Sequence, residues 1–189
     1  MLVLSKFKHV LNTYPITRGM ATYVVTWPIA SIIQQSMAGK TDYDWKEVAK
    51  FGMYGALWVA PTLYAWVRLT GILWPAMTLK TAIYKVSLEQ ITYAPFGITS
   101  FLYLINALDG KSTFECLEEV KKKLIPTYKA GVCFWPAIQL ISYSVVPEKN
   151  RVVLTSFASL LWTVYLAHVK HSTKINPLKN DDVISIKEL

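Results

Sequence analysis

The residues of this chain able to do chemistry are few, and they stand where charge is expensive. Arg68, Lys85, Glu89, Gln90 and Gln139 interrupt stretches that are otherwise apolar. An ionised or amide side chain in such surroundings needs a partner or water. Lys85 and Glu89 are four residues apart, one helical turn, and can face the same way. Glu89 and Gln90 are adjacent, so one neighbour cannot shield both. Two readings stand. These groups line a water-filled pathway between helices, or they hydrogen-bond helices together with Arg68 and Lys85 reaching toward the surface. The other reactive types offer less. His9, His168 and His171 sit at segment ends with no nucleophile or carboxylate paired to them in sequence, which reads as interfacial and not catalytic. Cys133 lies in an apolar run and reads as a small core residue, whereas Cys116 lies in a polar segment and is the more open to reaction. No phosphate loop, dinucleotide glycine fingerprint, zinc helix motif or disulfide framework occurs. The chain reads as a non-enzyme with no metal or cofactor.

The elements that must hold these residues are long and apolar. Hydrophobic residues make up 53% of the 189 and charged residues 17%, against roughly 25% charged in soluble domains. The charges cluster between apolar stretches near the length of about 20 residues that a spanning helix needs. Such stretches run over about 16–37, 48–69, 77–108, 128–146 and 152–169. The fold class is therefore all-α, an integral membrane bundle of four to five kinked spanning helices. Pro28, Pro95 and Pro136 supply the kinks. Asp44 with Glu47, and Ser112 with Glu115, have capping-box spacing. Gly52 and Gly55 give the second helix a small face for close contact. Gly71 to Pro75 turns the chain after it. Short amphipathic helices lying on the membrane surface are expected at 2–13 and 113–124, the second with Phe114, Leu117, Val120 and Leu124 on one side. Pairs four apart, Glu118 with Lys122 and Glu119 with Lys123, support it. Residues 1–170 form one multi-span membrane domain and 171–189 a polar tail. The seven Trp and eleven Tyr read mainly as interface anchors.

The net charge of +8 sits in connecting segments and tails. That suits lipid head groups, and no recognition motif accompanies it to suggest nucleic acid. No Asp or Glu precedes Asp42, while Lys6, Lys8 and Arg18 do. Such a basic, acid-free start is like a mitochondrial targeting sequence. The chain ends Ile186-Lys187-Glu188-Leu189, which is not a peroxisomal tail signal.

One stretch carries a resemblance. Trp135-Pro136-Ala137-Ile138-Gln139-Leu140, then Val146-Pro147 and Arg151, is similar to the Trp-Pro…Gln…Asn-Phe…Val-Pro…Arg signature of the Mpv-seventeen / peroxisomal membrane protein twenty-two family. Ser142-Tyr143 replaces its Asn-Phe. Trp162 and Tyr165-Leu166 match the closing Trp…Tyr-Leu. Upstream, Glu89-Gln90 with Ala94-Pro95 resembles Asp-Gln…Ala-Pro. Ala60-Pro61 and Trp66 resemble Gly-Pro…Trp-Tyr. Gln34-Gln35 match the glutamines of the first span, where Ile29-Ala30 replaces a Gly-Asp. The resemblance implies a bundle usually described as four-spanning, in the mitochondrial inner membrane or alternatively the peroxisomal membrane. It also implies a weakly selective pore for small solutes, linked to metabolite supply, mitochondrial DNA upkeep and reactive-oxygen balance. A non-conducting scaffold for membrane complexes is the alternative. Expected partners are the lipid bilayer and small solutes, with a homo-oligomer or larger complex left open.

Overall fold

The computed structural model describes the backbone of residues 13–175 and side chains as far as residue 164. Residues 2–12 of the surface helix expected at 2–13, the side chain of Tyr165 and the tail beyond 175 lie outside the described residues. What is described is helical, with no strand among those residues. We number five helices: α1 Pro15–Met37, α2 Trp45–Leu73, α3 Leu79–Leu108, α4 Thr113–Val145 and α5 Glu148–Ile175. Short turns make sequential neighbours antiparallel. α2 and α3 are each long and apolar enough to cross a membrane.

Local chemistry sets the boundaries. Pro15 starts α1 in the first helical turn, where its missing N–H costs nothing. α1 and α3 end with glycines in the left-handed region, Gly39 at φ 75° and Gly110 at φ 80°. In each, backbone bonds run back across the last turn, Lys40 N–H to the Gln35 carbonyl and Lys111 N–H to the Asn106 carbonyl. Asp44 opens α2 by accepting from the Lys46 and Glu47 N–H groups, both at 3.0 Å. The Glu47 bond first, then that of Lys46, holds the Asp44 carboxyl below its ordinary range. The Ser112–Glu115 capping box forms in both directions. The Ser112 N–H and hydroxyl hold the Glu115 carboxyl below its ordinary range as well.

Prolines mark the irregular points. Pro61 cannot donate to the Leu57 carbonyl, and the turn before it, Gly55–Val59, is widened into a π turn. Pro95 likewise cannot donate to the Ile91 carbonyl. α3 breaks there into Leu79–Ile91 and Tyr93–Leu108, with Thr92 between them. Pro28, Pro126 and Pro136 lie inside continuous helices.

Several expectations need correction. The 113–124 segment is not a separate surface helix. It is the start of the 33-residue α4, which continues through Pro126. Its inward stripe is Cys116 and Val120, while Phe114 is 72% exposed and Leu117 is also exposed. Glu119 does pair with Lys123, but Glu118 pairs with Lys121 at 3.0 Å instead of Lys122. The cysteines are reversed from expectation, Cys116 buried and Cys133 exposed. α2 continues through Gly71 to Leu73, so the turn is confined to 74–78. α5 starts at Glu148 and runs to Ile175, past the expected end near 169.

The packing is inverted relative to a protein in water. Large apolar side chains such as Val24, Ile29, Leu57, Ile72, Ile91 and Phe157 face outward. Small and polar ones such as Thr26, Ser31, Thr70, Thr155 and Ser156 are buried. Their hydroxyls largely satisfy themselves on their own helix, as when Thr155 donates to the Arg151 carbonyl at 2.9 Å. An outward surface this apolar belongs in lipid, where small residues let helices approach. Gly52 and Gly55 do so on α2: a Cβ at Gly52 would lie 2.9 Å from Pro28 Cγ, and one at Gly55 3.0 Å from Trp27 Cγ. The ends of the described chain also meet, since α1 packs along α5. There a Cβ on Gly19 would lie 2.6 Å from Val152 Cγ1.

Candidate functional site

Glu89 is the centre of the interior. It lies on α3, is 4% exposed, and is met by donors from two other helices. Gln139 Nε2 of α4 donates to Oε1 at 2.5 Å. Tyr143 Oη of α4 and Trp66 Nε1 of α2 donate to Oε2 at 2.6 and 3.2 Å. Gln139 and Tyr143 are four apart on α4 and so project from one face. Both carboxylate oxygens are thus engaged, three helices are tied through one residue, and the cost of burying the acid is offset.

A second polar layer lies between Glu89 and the α4–α5 turn. Lys85 is 1% and Arg151 2% exposed. Lys85 Nζ sits 5.5 Å from the centre of the Tyr143 ring, and Arg151 Cζ 5.3 Å from it. Arg151 Nε donates to the Ser142 and Val146 carbonyls, at 3.3 and 3.0 Å, and Nη2 reaches the Tyr143 carbonyl at 3.5 Å. A cation from α5 therefore satisfies the orphan carbonyls at the C-terminal end of α4.

On the other side of Glu89 is a cavity of about 300 Å³ lined from all five helices. Glu89, Gln90 and Gln139 border it toward one end, and Gln34 and Phe51 toward the other. Its wall carries nine aromatic side chains. Trp27 lies within 6.0 Å, centre to centre, of Tyr23, Phe51, Tyr54 and Phe101. Trp135 and Trp162 cluster around Phe134 on the α4–α5 side. These aromatics are internal and do not act as interface anchors. Trp45 and Trp74 at the two ends of α2 suit that role better. No group of three His, Cys, Asp or Glu that could hold a metal occurs among the described residues.

The polar residues singled out from sequence separate into groups. Glu89 and Gln139 meet directly, and Lys85 lies one turn from Glu89 beside Tyr143. Gln90 borders the cavity, and its Nε2 has no partner among the described residues. Arg68 does not join them. It is exposed on the outer face of α2, because Leu63, Val67 and Thr70 take the inward stripe. Of the motif residues, Gln35 is structural. Its Oε1 accepts from the Asp44 N–H at 2.7 Å and its Nε2 donates to the Asp44 carbonyl at 3.3 Å, closing the α1–α2 hairpin. Trp66 holds Glu89 and stacks on Tyr93, ring centres 5.5 Å apart. Pro61 follows the π turn and Pro95 the break in α3. Pro136 lies within α4, and Val146-Pro147 form the turn that Arg151 secures. Tyr143 is not legible as a site residue from sequence, since tyrosine in an apolar stretch looks like packing. Its spacing from Gln139 was the available signal.

A helical bundle with an apolar exterior, a buried carboxylate network and a central cavity is an integral membrane protein. The chain belongs to the Mpv17 / PMP22 family, whose model matches residues 106–167. It is 29% identical to the Mpv17-like protein of Xenopus laevis over 84% of this chain and 78% of that one. Identity to the PXMP2/4 family protein 2 of Dictyostelium discoideum is 31%, covering 67% and 65%. Identity to the mitochondrial inner membrane protein Mpv17 of Caenorhabditis briggsae is 24%, covering 88% and 92%. No solved structure matches the chain. These relatives assign it to organellar membranes, the mitochondrial inner membrane first and the peroxisomal membrane as the alternative.

Proposed function

We propose that the protein is a weakly selective pore for small solutes, serving metabolite supply and reactive-oxygen balance in its organelle. The observation that carries this reading is the central cavity, bordered by all five helices with Glu89 and Gln90 at one end. Glu89 is the one carboxylate on its wall, and no Lys, Arg or His lines it among the described residues. That favours cations over anions. The Glu89 cage closes one end, so conduction requires that cage to rearrange. The reading is non-enzymatic: the groups around Glu89 are hydrogen-bond donors, with no Ser, Cys, Lys or His among them. Purified protein in planar bilayers should give discrete conductance with a modest cation preference, and Glu89→Gln should reduce that preference. Absence of conductance across pH and voltage, with folded protein confirmed, would reject the pore.

One observation favours a second reading, a non-conducting scaffold. Glu89 is fully engaged by its three donors, as a purely structural residue would be. A scaffold predicts stable partners in gentle-detergent pull-downs and indifference of those partners to Glu89→Gln.

A further inference from the structure

We propose that Lys85 and Arg151 form a binding site for a phosphate-type oxyanion beside the α4–α5 turn, separate from the central cavity. The case begins with charge. Both cations are almost wholly buried, at 1% and 2% exposure, and they repel one another. Neither forms an ion pair among the described residues. The interior acid makes no ion pair with either cation, its hydrogen bonds coming from Gln139, Tyr143 and Trp66. Glu148 acts on both cations from a distance. Its side chain lies over Gly71, at the exposed rim. Two buried cations without a close countercharge are costly, and their contacts with the Tyr143 ring recover only part of that cost.

The donors that remain suit an oxyanion. No hydrogen bond reaches Lys85 Nζ among the described residues, which leaves an ammonium with donors to offer. Arg151 uses Nε and Nη2 on carbonyls, so Nη1 is spare. Ser142, whose carbonyl Arg151 holds, has a buried hydroxyl without a partner. An ammonium and a guanidinium near one tyrosine ring are the usual recognition elements for phosphate oxygens. The oxyanion has two sources, a phosphate-bearing solute or the phosphate of a lipid head group, since the turn lies at one end of the bundle. The site does not rest on the pore reading. Neither Lys85 nor Arg151 lines the cavity, so a non-conducting protein would keep it.

The test uses the full chain in nanodiscs of uncharged phosphatidylcholine. Thermal unfolding is followed while sodium phosphate is titrated against sodium chloride at equal ionic strength. In a second arm phosphatidic acid replaces part of the lipid and phosphate is omitted. The expected result is a saturable rise in Tm above matched salt. A rise with phosphate identifies a soluble source, and a rise with phosphatidic acid alone identifies a lipid. Lys85→Met should abolish the rise while increasing the Tm of the anion-free protein, because one of two repelling cations is gone. Lys85→Arg should retain the rise. No saturable rise with either probe, an equal response to chloride, or an unchanged response in Lys85→Met would overturn the site.

Discussion

At the scale of single residues, the three donors around Glu89 are worth more together than the acid alone. Glu89→Gln keeps the shape and one acceptor oxygen for Trp66 and Tyr143. Gln139 can then turn its own amide to meet the new NH₂ group. The loss of stability should stay within about 1.5 kcal/mol. Glu89→Leu strands three donors and should cost at least about 3 kcal/mol. Tyr143→Phe removes the bond from Tyr143 Oη to Glu89 Oε2, 2.6 Å long, and should fall between them. Thermal unfolding in one detergent ranks the three. Small losses for both Glu89→Gln and Glu89→Leu would mean the cage does not hold the bundle. Glu89 and Gln139 stood out in the sequence because polar groups in apolar stretches are rarely idle. Tyr143 did not, because a tyrosine serves equally as packing. Arg68 misled for the converse reason: hydropathy along a helix shows that a charge lies at membrane depth but not which face carries it.

At the scale of elements, the helix ends were legible and the joints between helices were not. Asp44, Ser112 and Glu115 announced their helices because capping is local chemistry. The widening before Pro61 and the break before Pro95 depend on how a freed carbonyl is accommodated, which neighbours decide. The continuity of α4 through Pro126 follows the packing of Cys116 and Val120 inside the bundle, which amphipathic spacing alone placed on the membrane surface. Gly52 tests the close contact of α1 and α2. Gly52→Val puts a branched side chain against the Pro28 ring, 2.9 Å away at Cβ, and should cost roughly 1–3 kcal/mol. Gly97→Ala meets nothing within 4 Å and should be neutral or better in the same assay. The Asp44 cap gives a pH test. Its carboxyl is lowered from 3.8 in the fold, so its stabilisation is present above that value and fades as acid carries the group through its folded pKa. Asp44→Asn, which caps without titrating, should lose less stability between neutral and acid pH than the parent. A parallel fall in both would remove Asp44 from the account.

At the scale of the molecule, the outward apolar surface and alternating helix directions fix which turns share a side. The ion pair of Lys50 with Asp109 brings the start of α2 to the end of α3. The 38–44 and 109–112 turns therefore lie at one end, and the 74–78 and 146–147 turns at the other. Cysteines placed at Gly39 and Gly110 in a cysteine-free background should be labelled from the same side of intact organelles. Cysteines at Met77 and Lys149 should be labelled from the opposite side. Mixed labelling within either pair would refute full crossing by the helices between them. The broad contact of α1 with α5 has a further consequence for how the chain is made. The surface of α1 that carries Gly19 and Tyr23 packs on two helices, on α2 through Ala60 and Leu63 and on α5 through Val152. During synthesis the α5 part of that contact forms only after α5 has left the ribosome. The α1–α2 hairpin can therefore pair early, while the contact of α1 with α5 joins helices far apart in sequence and is the slower one to form.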